Sequence, residues 1–131
     1  MLQSDLFYNI DFVNSWIEDF SYSEELSQLI CQISLCNWLQ NDYLSESPEI
    51  ISGVLTFKKI QHISFDPFPL FIEKNEVDGA EIIGCEVLSE IIEDLVKVKL
   101  VLNLTTAVIK NSVYVITISA QNVDWQSSTD G

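Results

Sequence analysis

The sequence predicts an α+β fold that is mostly β, with an N-terminal helix, a largely antiparallel sheet of about five to seven strands and one further short helix. Three observations carry this expectation. Apolar residues recur at three- and four-residue steps near the N-terminus, whereas later segments alternate apolar and polar with a period of two. Short turn-forming stretches, not long polar tracts, separate those segments. The chain has 131 residues, 47% of them hydrophobic, with only 4 glycines and 3 prolines, which suits one folded domain spanning residues 1–131.

From Asp5 to Phe20, the residues Leu6, Ile10, Val13, Ile17 and Phe20 form a helical stripe that Phe7 and Trp16 widen. Ser4 is placed to cap this helix, and Asp5 in its first turn complements the helix dipole. Phe20 to Glu25 reads as a turn. Leu29, Cys31, Ile33 and Leu35 then alternate with more polar neighbours, the pattern of a strand with one buried face. Gln40 to Pro48 is polar and acidic and reads as a loop. Ile50 to Phe57 resumes as a strand, and the change of pattern at Lys58-Lys59-Ile60, before Ile63 and Phe65, predicts a bulge or tight turn. Asp66-Pro67-Phe68-Pro69 ends regular structure, because proline has no amide hydrogen to give a central strand.

Phe71-Ile72 suits a short strand and Glu73 to Gly79 a charged connection. Val87, Leu88, Ile91, Ile92 and Leu95 make an amphipathic stripe, with Glu86, Glu90, Glu93 and Asp94 opposite, which predicts the second helix. Val96, Val98, Leu100, Leu102 and Leu104 alternate, as do Tyr114, Ile116, Ile118 and Ala120. With a turn at Lys110-Asn111-Ser112 between them, the two segments predict a hairpin. Val123 and Trp125 anchor the end, and residues 126–131 read as a frayed tail.

Charge is the most unusual feature of the composition. Twenty acidic residues face six lysines and no arginine, for a formal net charge of −14. Nucleic-acid backbones and anionic membranes are bound through Lys and Arg, so both are excluded as favoured partners. A field of this sign attracts basic proteins and speeds their association, although solubility alone explains it equally well. The N-terminus lacks the basic and apolar segments of an export signal, and no stretch reaches the length of a membrane helix. Cys31, Cys36 and Cys85 form no CxxC pair and leave at least one thiol unpaired, which suits a reducing cytoplasm and buried, inert cysteines.

No catalytic centre emerges. His62 is the single histidine, too few for a convincing nucleophile-base pairing or a Cys/His metal site, and an exposed or structural role is expected. No phosphate-binding glycine pattern or calcium-loop spacing occurs, so neither cofactor nor metal is expected. A two-carboxylate hydrolase remains conceivable by composition, yet nothing in the spacing marks a convergent pair. Trp16, Phe7 and Phe20 fall on the helical stripe and read as core. Trp38, Tyr43 and Trp125 lie near element ends, where an aromatic beside acids can anchor an interface as well as a core.

One resemblance spans most of the chain. The aromatic N-terminal segment with Phe20, the strand Leu29 to Leu35, the stretch Gly53-Val54-Leu55-Thr56-Phe57-Lys58-Lys59-Ile60 followed by Ile63, and the closing strand Tyr114 to Ala120 leading to Val123 and Trp125 resemble small β-rich bacterial immunity proteins of polymorphic toxin systems, of the immunity protein 50 type. The resemblance implies a cytoplasmic, non-catalytic inhibitor of a cognate toxin and transfers no site residue. Together with the charge it points to a basic protein partner contacting Asp42, Tyr43, Glu46, Glu49, Glu73, Glu76, Asp78, Glu86, Glu90, Glu93 and Asp94. The alternative expectation is a structural module that forms homo-oligomers, its charge serving solubility only.

Overall fold

Alternation decides the architecture, since each long strand presents one apolar row to a common interior. The computed structural model describes residues 6–7, 10–40, 44, 46, 49–66, 77–89, 95–106 and 112–127. They form six strands: β1 (Trp16–Ser23), β2 (Gln28–Cys36), β3 (Ile50–Asp66), β4 (Val77–Ser89), β5 (Val96–Thr106) and β6 (Ser112–Ser127). A 3-10 turn, Asn37–Leu39, follows β2. All pairings are antiparallel, and the sheet closes into a barrel in the order β1-β2-β3-β6-β5-β4.

Two three-stranded meanders thus make the barrel, β1-β2-β3 and β4-β5-β6. They join along a long ladder from Gly53 opposite Ser127 to Asp66 opposite Val115. The other join is short: Trp16 pairs with Glu81 and Ile17 with Ala80. It is lengthened by the Asn14 amide donating to the Ile82 carbonyl and the Ile82 amide donating to the Ser15 carbonyl, both at 2.8 Å.

The interior is filled. Leu29, Cys31, Ile33 and Leu35 from β2 meet Leu55 and Phe57 from β3, Ile82 from β4, Val98, Leu100 and Leu102 from β5, and Ile116 and Ile118 from β6, all buried. A barrel of this strand number is wide enough only for side chains, and each such aliphatic group contributes about 1.5–3 kcal/mol by leaving water. The end where β1 begins is plugged by the segment before it. Phe12 is buried there, edge-on to Trp125 at 5.4 Å and 5.9 Å from the ring of Phe7, which itself stacks on Phe57 at 6.3 Å.

The α+β expectation is overturned: among the described residues the fold is all β. Among the described residues at the N-terminus, Leu6 and Phe7 take helical backbone, with the Ile10 amide bonded to the Leu6 carbonyl at 2.9 Å. The chain then turns at Val13 and Asn14, where Asn14 takes φ 71°, and enters β1 at Trp16. A bulge between Ile17 and Asp19 explains the misreading. It sets Ile17 opposite Ile33 and Phe20 opposite Cys31, two inward positions of β2, so a strand reproduces the three-residue step of a helix.

The second helix fails for the same reason. Glu86, Val87 and Leu88 lie in β4, whose pairing with β5 shifts register at Val77/Ala80, Ile82/Gly84 and Val87/Ser89, and three bulges erase the two-residue period. The rest of that expected helix, residues 90–94, lies outside the described residues, as do the Phe71-Ile72 strand and the turn at residues 110–111. The turn expected from Phe20 instead occupies residues 24–27, with Ser27 at φ 51° and its amide bonded to the Glu24 carbonyl at 3.2 Å. At the other end β6 stays paired through Gln126 and Ser127, opposite Val54 and Gly53.

Other elements stand where the alternation placed them. Leu29 to Leu35 is a strand, β5 and β6 form an antiparallel pair, and the break expected at Lys58-Lys59-Ile60 falls inside one continuous 17-residue strand whose register against β6 shifts just after it, between Ile60 and His62. Lys59 takes φ 53°, Lys58 and Lys59 both face out between inward Phe57 and Ile60, and the Ile60 amide reaches the Ser27 carbonyl at 3.0 Å.

Candidate functional site on the outer surface of the barrel

An apolar, filled interior leaves the outer surface and the barrel ends to carry function. His62 is exposed on β3 opposite Ser119, whereas Cys31 points into the core, so the chain's one imidazole and its most buried thiol lie on opposite sides of the sheet. Among the described residues no group of three His, Cys, Asp or Glu is arranged to hold a metal ion. Burial pushes the Cys31 thiol up to about 12, with the nearby Asp19 carboxylate adding to it. Cys85 is likewise pushed up to about 12 and Cys36 is raised, in both cases first by burial and then by Asp11. Such thiols stay protonated and make poor nucleophiles.

The plugged end is built by backbone recognition. Gln40 accepts a hydrogen bond from the Asp11 amide at 2.9 Å and donates to the carbonyls of Asp11, at 2.7 Å, and Cys36, at 3.1 Å. The buried Ser15 hydroxyl oxygen accepts from the Cys36 amide at 2.9 Å. These bonds tie the segment before β1 to the end of β2. The Ser15 bond satisfies a buried backbone amide that a closed barrel end would otherwise strand, and the Gln40 bonds fasten a part-buried carbonyl and exposed backbone at the rim, so this polar cluster is accounted for by structure.

Of the acidic residues expected to contact a partner, the four that are described fall in two parts of the barrel. Glu46 and Glu49 are exposed between β2 and the start of β3. Glu86 is exposed on β4 opposite Lys99, and Asp78 also lies in β4, a strand that does not adjoin β3 in the barrel. Asp42, Tyr43, Glu73, Glu76, Glu90, Glu93 and Asp94 lie outside the described residues.

Sequence reasoning missed a different set. Asp11, Glu18, Glu24 and Glu25 are exposed and Asp19 is half-buried, all on the first meander or the segment leading into it. Glu18 is held over the outer face of β2, accepting from the Ser34 hydroxyl at 2.9 Å. The signal that finds them is positional. Nine acidic residues and no lysine, arginine or histidine precede Lys58, while the remaining eleven acids share their stretch with all six lysines and His62. Because the first meander up to Phe57 is one side of the barrel, this linear asymmetry becomes a spatial one. The lysines on β5, Lys97 and Lys99, face outward on the second meander opposite Ser119 and Thr117.

No helix among the described residues is long and apolar enough to cross a membrane. No family model matches the chain, and no curated protein or solved structure matches it either.

Proposed function

We propose that the protein is a non-catalytic binding domain for a basic protein, acting in the cytoplasm as a stoichiometric inhibitor of the immunity-protein kind. The observation that carries this reading is the one-sided charge: a solid β-barrel whose first meander bears acids and no cation up to Phe57, its two lysines, Lys58 and Lys59, standing beyond that point on β3. A filled core supplies rigidity, so such a surface meets its partner with little loss of backbone freedom. Unopposed carboxylates on one side orient the approach of a cationic protein and raise its rate of encounter.

The test is affinity capture from a lysate of the source organism, with elution by a salt gradient. Wild-type bait is compared with a variant neutralised at Glu18, Asp19, Glu24 and Glu25 (Glu→Gln, Asp→Asn). The reading expects one basic protein in stoichiometric amount on the wild type and its earlier elution from the variant. Recovery of the bait alone as a defined homo-oligomer contradicts it.

A further inference from the structure

The outer face shared by β2 and the first half of β3 carries no charge. Ile30, Gln32 and Ser34 of β2 point outward between the buried Leu29, Cys31, Ile33 and Leu35. On β3, Ser52, Val54 and Thr56 do the same between Gly53, Leu55 and Phe57. The register places Ile30 beside Thr56, Gln32 beside Val54 and Ser34 beside Ser52. Ile50 extends the row at one end with 52% of its surface exposed, and Trp38 stands there with 53% exposed. Trp38 is fixed in place, because the Glu49 carbonyl accepts from the amides of both Asn37, at 2.9 Å, and Trp38, at 3.2 Å.

Charge returns only at the margins. Glu18, bonded to Ser34, and Asp19, opposite Gln32, border the face along β1. Asp124, opposite Thr56, borders it along β6, and Glu49 closes the end beside Trp38. Lys58 stands at the far end, beyond Thr56. In a chain with 20% charged residues, seven adjoining outward positions free of charge, three on β2 and four on β3, flanked by four carboxylates, are the layout of a protein interface: a desolvatable centre and a charged rim. An exposed tryptophan at the end of the row that Ile50 extends supplies the anchor that such centres use.

We infer that this β2–β3 face is the docking surface, and that its occupant is a basic protein whose arginine or lysine side chains reach the rim carboxylates while apolar groups cover Ile30, Val54, Ile50 and Trp38. The inference rests on the proposed function and goes beyond it by assigning the surface. Charge complementarity selects the occupant. A second copy of this acidic chain would bring its own four rim carboxylates against these, whereas a cationic partner neutralises them.

The experiment is an NMR titration of the isotopically labelled protein with a short peptide alternating arginine and leucine, and with its glutamine-for-arginine counterpart. The arginine peptide is expected to shift the amides of Ile30, Gln32, Ser52 and Val54 and the indole of Trp38, and the glutamine peptide to leave them in place. Gln32→Lys/Ser52→Lys, at two exposed positions, is expected to weaken arginine-peptide binding by at least about tenfold, and Glu86→Lys on β4 by less than about twofold. Binding that shifts only the 24–27 turn or β4 and β5 overturns the assignment of the face and leaves the basic-partner reading standing. Absence of binding by either peptide overturns the assignment, and the lysate capture then decides the broader reading separately. Concentration-dependent shifts of the same amides without peptide would make a second copy the occupant and overturn the choice of a basic one.

Discussion

Trp125 occupies the space that a side chain on Gly53 would need. A Cβ at Gly53 would stand 2.5 and 2.6 Å from two carbons of the indole and 2.8 Å from the Gln126 carbonyl oxygen. The same indole meets Phe12 edge-on, so the missing side chain on β3 lets β6 hold the aromatic plug of the barrel end. Gly53→Ala is therefore expected to destabilise the protein by about 1–3 kcal/mol in urea denaturation. Gly53→Ala combined with Trp125→Leu should cost less than the sum of the single changes, because the ring clash is removed while the carbonyl contact stays.

Gln40 makes a second device at that end. Gln40→Ala removes three hydrogen bonds, two of them to Asp11, and is expected to cost about 1–3 kcal/mol. Hydrogen exchange gives the sharper readout. The Asp11 amide should lose protection, whereas the Asn14 amide, bonded to the Ile82 carbonyl, should keep it.

Lys59 takes a left-handed backbone, φ 53°, just before the register of β3 shifts between Ile60 and His62. Its side chain is exposed, so nothing in the packing opposes its removal. Lys59→Gly should leave thermal stability unchanged or raise it by up to about 1 kcal/mol, and Lys59→Val should lower it by about 1–2 kcal/mol, since a β-branched residue tolerates this conformation poorly.

The thiols set an alkaline limit. Cys31 and Cys85 rise from an ordinary 9.0 to about 12 in the folded chain, so folding favours the neutral thiol. That contribution is complete below 9.0 and is lost as pH climbs from 9.0 toward about 12. The urea midpoint should fall over this window, and it should fall less in Cys31→Ala. At neutral pH, native Cys31 should resist a disulfide thiol reagent that modifies it at once after unfolding.

The long alternating strands were legible because their faces are continuous: Leu29 to Leu35, Val96 to Leu102 and Tyr114 to Ala120 each keep one parity against the core. Bulges defeated the reading elsewhere. The one between Ile17 and Asp19 imitated a helical step, and the three in β4 left no period to detect. Lys58-Lys59 was recognisable since two consecutive lysines cannot alternate between water and a core. The surface was less legible. Its uncharged face joins residues more than twenty apart in the chain, Gln32 with Val54 and Ile30 with Thr56, and only the register brings them side by side. The absence of any cation before Lys58 was visible in the sequence, but it acquired meaning only once β1, β2 and β3 up to Phe57 proved to form one side of a barrel.

The most direct test of the central claim, that one acidic side of a solid barrel receives a basic protein, is the association rate with the captured partner as a function of ionic strength. The wild-type rate should fall steeply as salt rises, and neutralising Glu18, Asp19, Glu24 and Glu25 should lower the rate at low salt by about tenfold and flatten the dependence. A rate independent of salt, or a neutralised variant that associates as fast as the wild type, would contradict the claim.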